Sequence, residues 1–275
     1  MAKPQLTHAA RPATFEVEAY NERGEMVPTA VAGEHPLTLY LDKREIVTLM
    51  TLGHAPEALA IGYLRNQRLA DSIDDIAAVQ VDWETASVAV TTHSKKQLPS
   101  LEKKTVTTGC GQGTVFGDLM EEIDSILLRK DVSLTDADLF VLLEKVRKHE
   151  TIYKQAGAVH GCALATTAGE ILMFVEDVGR HNAVDAIAGF MWLDAIDGSD
   201  KLFYTTGRLT SEMVIKCAQM RIPFLVSRSG LTQMGHAIAH KVGITMLGRA
   251  SGRHYLAFTG KERLVRTAPQ PTAVA

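Results

Sequence analysis

Cysteine is scarce in this 275-residue chain, with three, at 110, 162 and 217, far apart. An odd, sparse set excludes a secreted disulfide framework. No C-x-x-C, H-E-x-x-H or second Cys/His pair joins His160-Gly161-Cys162, so no metal of its own is expected. No apolar run is long enough to cross a bilayer, and residues 1–14 lack the apolar stretch of a signal peptide. The expected location is the cytoplasm, with no membrane partner. Charge of one sign is missing too: a net charge of -3 gives no global attraction for nucleic acid, so any anion site must be local. There is no Walker loop, and no G-x-G-x-x-G follows a strand into a helix, which argues against a P-loop ATPase or a Rossmann dehydrogenase.

What is present divides the chain. Residues 1–14 read as a flexible tail and 15–130 as a smaller, strand-rich α+β region carrying a Gly-rich loop at Cys110. Residues 131–260 read as a layered α/β domain and 261–275 as a second tail. In the first region, 36–50 alternates as a hairpin, 55–69 opens with Pro56 as a helix, and 76–81 and 87–92 alternate again. Helical patterns follow at 119–128 and 136–149, the second with Thr135 placed to cap it. From Cys162 onward, paired strands around Thr167-Ala168-Gly169 lead into helices near 182–193, 211–220 and 232–242. These alternate with strands at 201–206, 223–227 and 244–247, a rhythm that predicts a largely parallel sheet.

Ligands of such sheets gather beyond the carboxyl ends of the strands. Three junctions there combine glycine with arginine: Glu176–Asn182, Thr205–Ser211 with Arg208, and Ser227–Thr232 with Ser229. A fourth Gly/Arg segment runs Arg249-Ala250-Ser251-Gly252-Arg253-His254. Glycine admits backbone amides, helix starts favour anions, and guanidinium groups grip phosphate oxygens, so together they predict a phosphorylated ligand. For any one junction the rival reading is helix capping with surface arginines. Cys110 lies in Thr107–Thr114 among Gly109, Gly111 and Gly113, where a thiol could meet two partners in turn. Cys162 and Cys217 lie in apolar patterns and read as packed core residues.

These segments, in this order, resemble the formate dehydrogenase accessory sulfurtransferase family (FdhD/NarQ). The likeness rests on GCG at 109–111, GAVHGCALA at 157–165, EDVGRHNAVD at 176–185, TTGRLTSEMVIKCA at 205–218 and SRSGLT at 227–232. The resemblance implies a C-terminal domain similar to cytidine deaminases and a homodimer. It implies a sulfurtransferase that accepts sulfur from a cysteine desulfurase as a persulfide on Cys110. That sulfur would pass to a molybdenum bis(pterin guanine dinucleotide) cofactor, bound as substrate and destined for the formate dehydrogenase apoenzyme. By position, Arg249–His254 matches the cofactor stretch, and the anion-friendly junctions with Arg208 and Ser229 would meet the phosphates. Gly113 stands where many relatives carry a second loop cysteine, and Arg249 where an aromatic or aliphatic residue is usual. Two rivals remain: a non-catalytic cofactor-binding chaperone, and a zinc deaminase, whose H-x-E and P-C-x-x-C ligand pattern is missing here.

Overall fold

The computed structural model describes residues 3–94, 104–105, 123 and 126–267. The first unit is a six-stranded sheet in the order β1-β6-β7-β4-β5-β8. Its strands are β1 (Gln5–Leu6), β4 (His35–Leu41), β5 (Arg44–Thr51), β6 (Ile76–Asp82), β7 (Ser87–Thr92) and β8 (Lys104–Thr105). Leu37, Leu39 and Leu41 alternate inward along β4, as their period of two requires, and meet helix α1 (Pro56–Asn66). The expected hairpin over 36–50 is β4–β5. A separate hairpin, β2 (Thr14–Tyr20) with β3 (Met26–Ala32), was not anticipated.

The second unit is a six-stranded sheet in the order β11-β10-β12-β13-β14-β15. Its strands are β10 (His160–Thr166), β11 (Ile171–Asp177), β12 (Lys201–Thr205), β13 (Phe224–Ser227), β14 (Thr245–Ser251) and β15 (His254–Thr259). Helix α2 (Asp136–His149) covers one face, packing Leu139, Leu142, Leu143 and Val146 on Ala163, Leu202, Tyr204 and Val226. The other face carries α4 (Arg180–Leu193), α5 (Ser211–Gln219) and α6 (Gln233–Val242), packed on Cys162, Leu164, Phe203, Leu225 and Met246. A short α3 (Ile152–Ala156) precedes the sheet. Thr135 caps α2 as expected, its Oγ1 accepting the Asp138 amide at 3.0 Å.

Three expectations need correction. The sheet is mixed rather than largely parallel: β12–β13 and β13–β14 are parallel, whereas β10–β11, β10–β12 and β14–β15 are antiparallel. Turns as short as Thr167–Gly169 and Gly252–Arg253 can join only antiparallel neighbours. Residues 3–14 are not a loose tail. Gln5–Leu6 pair with β6, Thr7 Oγ1 donates to the Val79 carbonyl at 3.1 Å, and the Arg11 amide donates to Gly53 at 2.8 Å. Residues 261–267 are not a loose tail either: β16 (Leu264–Val265) pairs with β9 (Leu134–Thr135), and buried Arg263 donates to the Gly243 carbonyl at 2.7 Å.

The units share one core through α1 and α4. Their contact is backbone on backbone: a Cβ on Gly62 would stand 1.6 Å from the Asp185 carbonyl oxygen, and one on Gly189 would stand 1.9 Å from that of Ala58. Across this seam Asn66 donates to Asp185 at 2.7 Å, and Lys216 of α5 pairs with the same carboxylate at 2.8 Å, all three buried.

Candidate functional site: the strand-end rim and the α2 groove

Because β10 opposes both β11 and β12, strands β11, β12, β13 and β14 all end on the same rim. The four Gly/Arg segments therefore gather along one edge, at Asp177, Thr205, Ser227 and Ser251. What each contributes differs.

The first junction is internal. Asp177 accepts from Thr51 Oγ1 at 2.5 Å and the Leu52 amide at 3.2 Å on the first unit, and from Gly179 at 3.1 Å and Asn182 at 2.9 Å on its own. Burial pushes its pKa up to about 6 against those four hydrogen bonds. Glu176 caps α3, accepting the amides of Thr151, Ile152 and Tyr153 at 3.1, 2.9 and 3.0 Å. Arg180, His181 and Asn182 are buried. Burial first, then the cations of Lys216 and Arg180, lowers the His181 pKa to about 2.

Three hydroxyls of the next two junctions fold their own turns, one of them, Thr232, as a helix cap. Thr205 Oγ1 accepts the Gly207 amide at 3.1 Å, Ser227 Oγ donates to the Gly207 carbonyl at 2.6 Å, and Thr232 caps α6 at Gly235 at 3.1 Å. Their arginines stay outside: Arg208 is exposed, and Arg228 donates to buried Glu150 at 2.8 Å with Tyr153 against its guanidinium. His160, half-buried on the same rim, has its pKa lowered by burial and then by Arg180, Arg228 and Arg208. Three guanidinium groups thus bear on this stretch of the rim.

The fourth segment turns the chain from β14 into β15. The Arg249 amide donates to the Ser229 carbonyl at 2.9 Å, which joins the third and fourth segments. Arg249 holds a left-handed φ of 53° beside a break in strand register, a bulge that turns its side chain outward. Ala250, Ser251, Gly252 and Arg253 then line a groove of about 800 Å³, together with Arg228 and Tyr204. Arg249, His254, Arg208 and Ser229 lie outside that lining.

The opposite wall is α2, through Asp136, Phe140, Glu144 and Arg147. Sequence reasoning missed it. The only signal was spacing: these four recur on one helical face, a pattern that also describes any solvated face. Cys110 lies outside the described residues, as does most of the expected helix 119–128. Cys162 and Cys217 are buried, the first with its pKa pushed up to about 12 by burial and the second raised in the same way. Among the described residues no three His, Cys, Asp or Glu side chains gather to hold a metal ion, and no helix is long and apolar enough to cross a membrane.

Comparison with known proteins agrees with the segment order. Two proteins called sulfur carrier protein FdhD are similar over most of their length. That of Listeria innocua is 28% identical over 254 residues, covering 91% of this chain and 95% of the relative. That of Sulfurisphaera tokodaii is 30% identical over 250 residues, covering 89% and 95%. A crystal structure of a provisionally assigned formate dehydrogenase accessory protein from Desulfotalea psychrophila superposes with a TM-score of 0.75. It is 26% identical and covers 92% of this chain and 100% of that one. The FdhD/NarQ family model matches residues 32–265, from the end of β3 through β16, and by that match the chain belongs to the FdhD/NarQ family.

Proposed function

We propose that this chain is a sulfur carrier that serves formate dehydrogenase, taking sulfur onto Cys110 as a persulfide. The observation that carries the reading is the state of the other two thiols. Cys162 and Cys217 are sealed in the core, and burial holds both as thiols, whereas sulfur exchange needs a thiolate with access to its partner. Cys110, flanked by Gly109 and Gly111, is the remaining cysteine of the sequence.

In this reading the Cys110 thiolate attacks the outer sulfur of a cysteine desulfurase persulfide. The new S–S bond forms on Cys110 as the old one breaks, and the desulfurase cysteine leaves as a thiolate. The acceptor is molybdenum in a bis(pterin guanine dinucleotide) cofactor, held as substrate until delivery to the formate dehydrogenase apoenzyme. The exposed guanidinium groups at the rim, on Arg208 and within Arg249–His254, support a phosphate-bearing ligand that would also meet Ser229. A homodimer in the cytoplasm and a C-terminal domain like that of cytidine deaminases belong to the same reading.

Incubation with a cysteine desulfurase and cysteine, followed by peptide mass spectrometry, tests it. One added sulfur, about 32 Da, is expected on the Cys110 peptide; it should vanish in Cys110→Ser and persist in Cys162→Ala and Cys217→Ala. Full maturation of formate dehydrogenase by Cys110→Ser, in cells lacking their own accessory protein, would sink the carrier and leave a cofactor-binding chaperone.

A further inference from the structure

The β2–β3 hairpin is built unlike the two large sheets. No residue of either strand is buried, whereas β4 buries Leu37, Leu39 and Leu41 in turn. The hairpin leans on α3 and pairs with no third strand among the described residues. A two-stranded ribbon in water is marginal by itself, because one hydrogen-bond ladder without a buried face does little to offset the entropy of ordering. Phe15, Val17 and Val31 share one face and are exposed; Tyr20, 74% exposed, and Met26 share the other.

Its two edges differ. The Gly33 amide donates to the Ala13 carbonyl at 2.8 Å, and the Asn21 amide donates to the Glu25 carbonyl at 3.0 Å. These pairs set the phase of the ladder. Phe15, Val17 and Ala19 direct their backbone groups at β3, while Thr14, Glu16, Glu18 and Tyr20 turn theirs outward. On β3 the outward positions include Pro28, which has no N–H. The β2 edge is open, and the β3 edge is blunted.

Charge narrows the partner. Residues 14–32 hold four glutamates and one arginine, a net charge of -3, equal to that of the entire chain. Glu22 lies 3.9 Å from Arg23, and Glu25 accepts from Asn21 Nδ2 at 2.9 Å. Glu16 and Glu18, on the open edge, have no side-chain partner among the described residues.

We infer that the β2 edge takes an extended segment of a partner protein as a third strand, with basic side chains opposite Glu16 and Glu18 and apolar ones opposite Phe15 and Val17. Backbone pairing supplies affinity, and the alternation of side chains supplies specificity. A second copy of this chain fits poorly. Pairing β2 with itself about a twofold axis either sets the glutamates against one another or lays them on the apolar face. The family match begins at residue 32, so the ribbon lies outside it, and this docking edge does not depend on the proposed function.

The probe is the end-blocked peptide Lys-Val-Lys-Val-Lys-Val-Lys, titrated into the full chain while amide hydrogen exchange is followed by NMR. The Glu16, Glu18 and Tyr20 amides should exchange freely in the parent and become protected with peptide. Glu16→Gln and Glu18→Gln should each weaken binding about 3-fold, and together about 10-fold. Glu18→Pro sets a proline opposite Pro28, which removes an outward donor and spares the ladder to β3. It should bind at least about 5-fold more weakly than Glu18→Gln. Protection of the Val17 amide reports whether the ribbon survives that change; if it is lost, the glutamine variants still decide the matter. Absence of protection at millimolar peptide, equal binding of Glu-Val-Glu-Val-Glu-Val-Glu, or parental binding by the double glutamine variant would overturn the docking edge. So would a dimer in sedimentation that Glu18→Pro dissociates, since a second copy would then occupy the edge.

Discussion

The seam between α1 and α4 and the groove along α2 both collect charged side chains, and they treat them in opposite ways. At the seam, Asp185, Lys216, Asn66 and Asp177 are buried, and each hydrogen-bonds to another segment of the chain. Along the groove, Arg147 and Arg253 are exposed and face open volume. Buried charges are tolerated only when their partners are built in, so the seam is architecture. Exposed like charges on converging segments repel one another unless a ligand intervenes, so the groove is the place to look for binding. The stretch EDVGRHNAVD at 176–185 thus goes mainly into holding the two units together. The arginines of the other Gly/Arg segments reach solvent.

Lys216→Met sharpens this contrast most. It leaves Asp185 buried without its cation, and stability should fall by about 3–5 kcal/mol in urea denaturation. Burial already raises the Asp185 pKa, so adding Asp185→Asn to that variant should recover part of the loss. A smaller effect is expected from pH. Burial, then the cations of Lys216 and Arg180, lowers the His181 pKa to about 2 and outweighs the Glu212 carboxylate 3.2 Å from its Nε2, so below pH 6.5 the unfolded chain binds a proton that the folded one refuses. Its contribution to stability is complete above pH 6.5 and declines as pH falls, by at most about 1.4 kcal/mol per pH unit. Asp177, Asp185 and Glu212, raised by burial, work in the opposite sense. The readout is therefore the difference between the parent and His181→Gln, which should widen between pH 7.5 and 5 if measured as the parent's excess loss. The smallest effect belongs to the groove: Arg147→Gln should change stability by no more than about 0.5 kcal/mol. A loss of several kcal/mol there would erase the distinction between the regions.

Much of the fold was legible because periodicity reports burial. The alternation of Leu37, Leu39 and Leu41 and the Thr135 cap each foretold a local element. Pairing direction was less legible, since it depends on where a strand inserts: β10 lies between β11 and β12, and no local pattern in His160–Thr166 encodes that neighbour. The N-terminal tail was misread because its order comes from partners distant in sequence, such as Trp83 Nε1 donating to the Ala9 carbonyl at 2.5 Å. For the candidate site, the glycine and arginine segments at the strand ends lie along one rim. They could not reveal that Asp177 faces inward while Arg228 faces out, because that depends on Thr51 and Glu150, distant in sequence. The α2 wall had no distinctive chemistry of its own.

The glycine crossing at Gly62 and Gly189 also bears on how the chain is made. Asn66 meets its partner Asp185 across 119 residues of sequence. During synthesis α1 emerges long before α4, by roughly 6–24 s at 5–20 residues per second. In that interval the face of α1 destined for the seam, with Gly62 and Asn66, has no native partner. Contacts of such separation slow folding and leave apolar surface open to capture. The first sheet, released alone by truncation or a stalled ribosome, would be a client for chaperones.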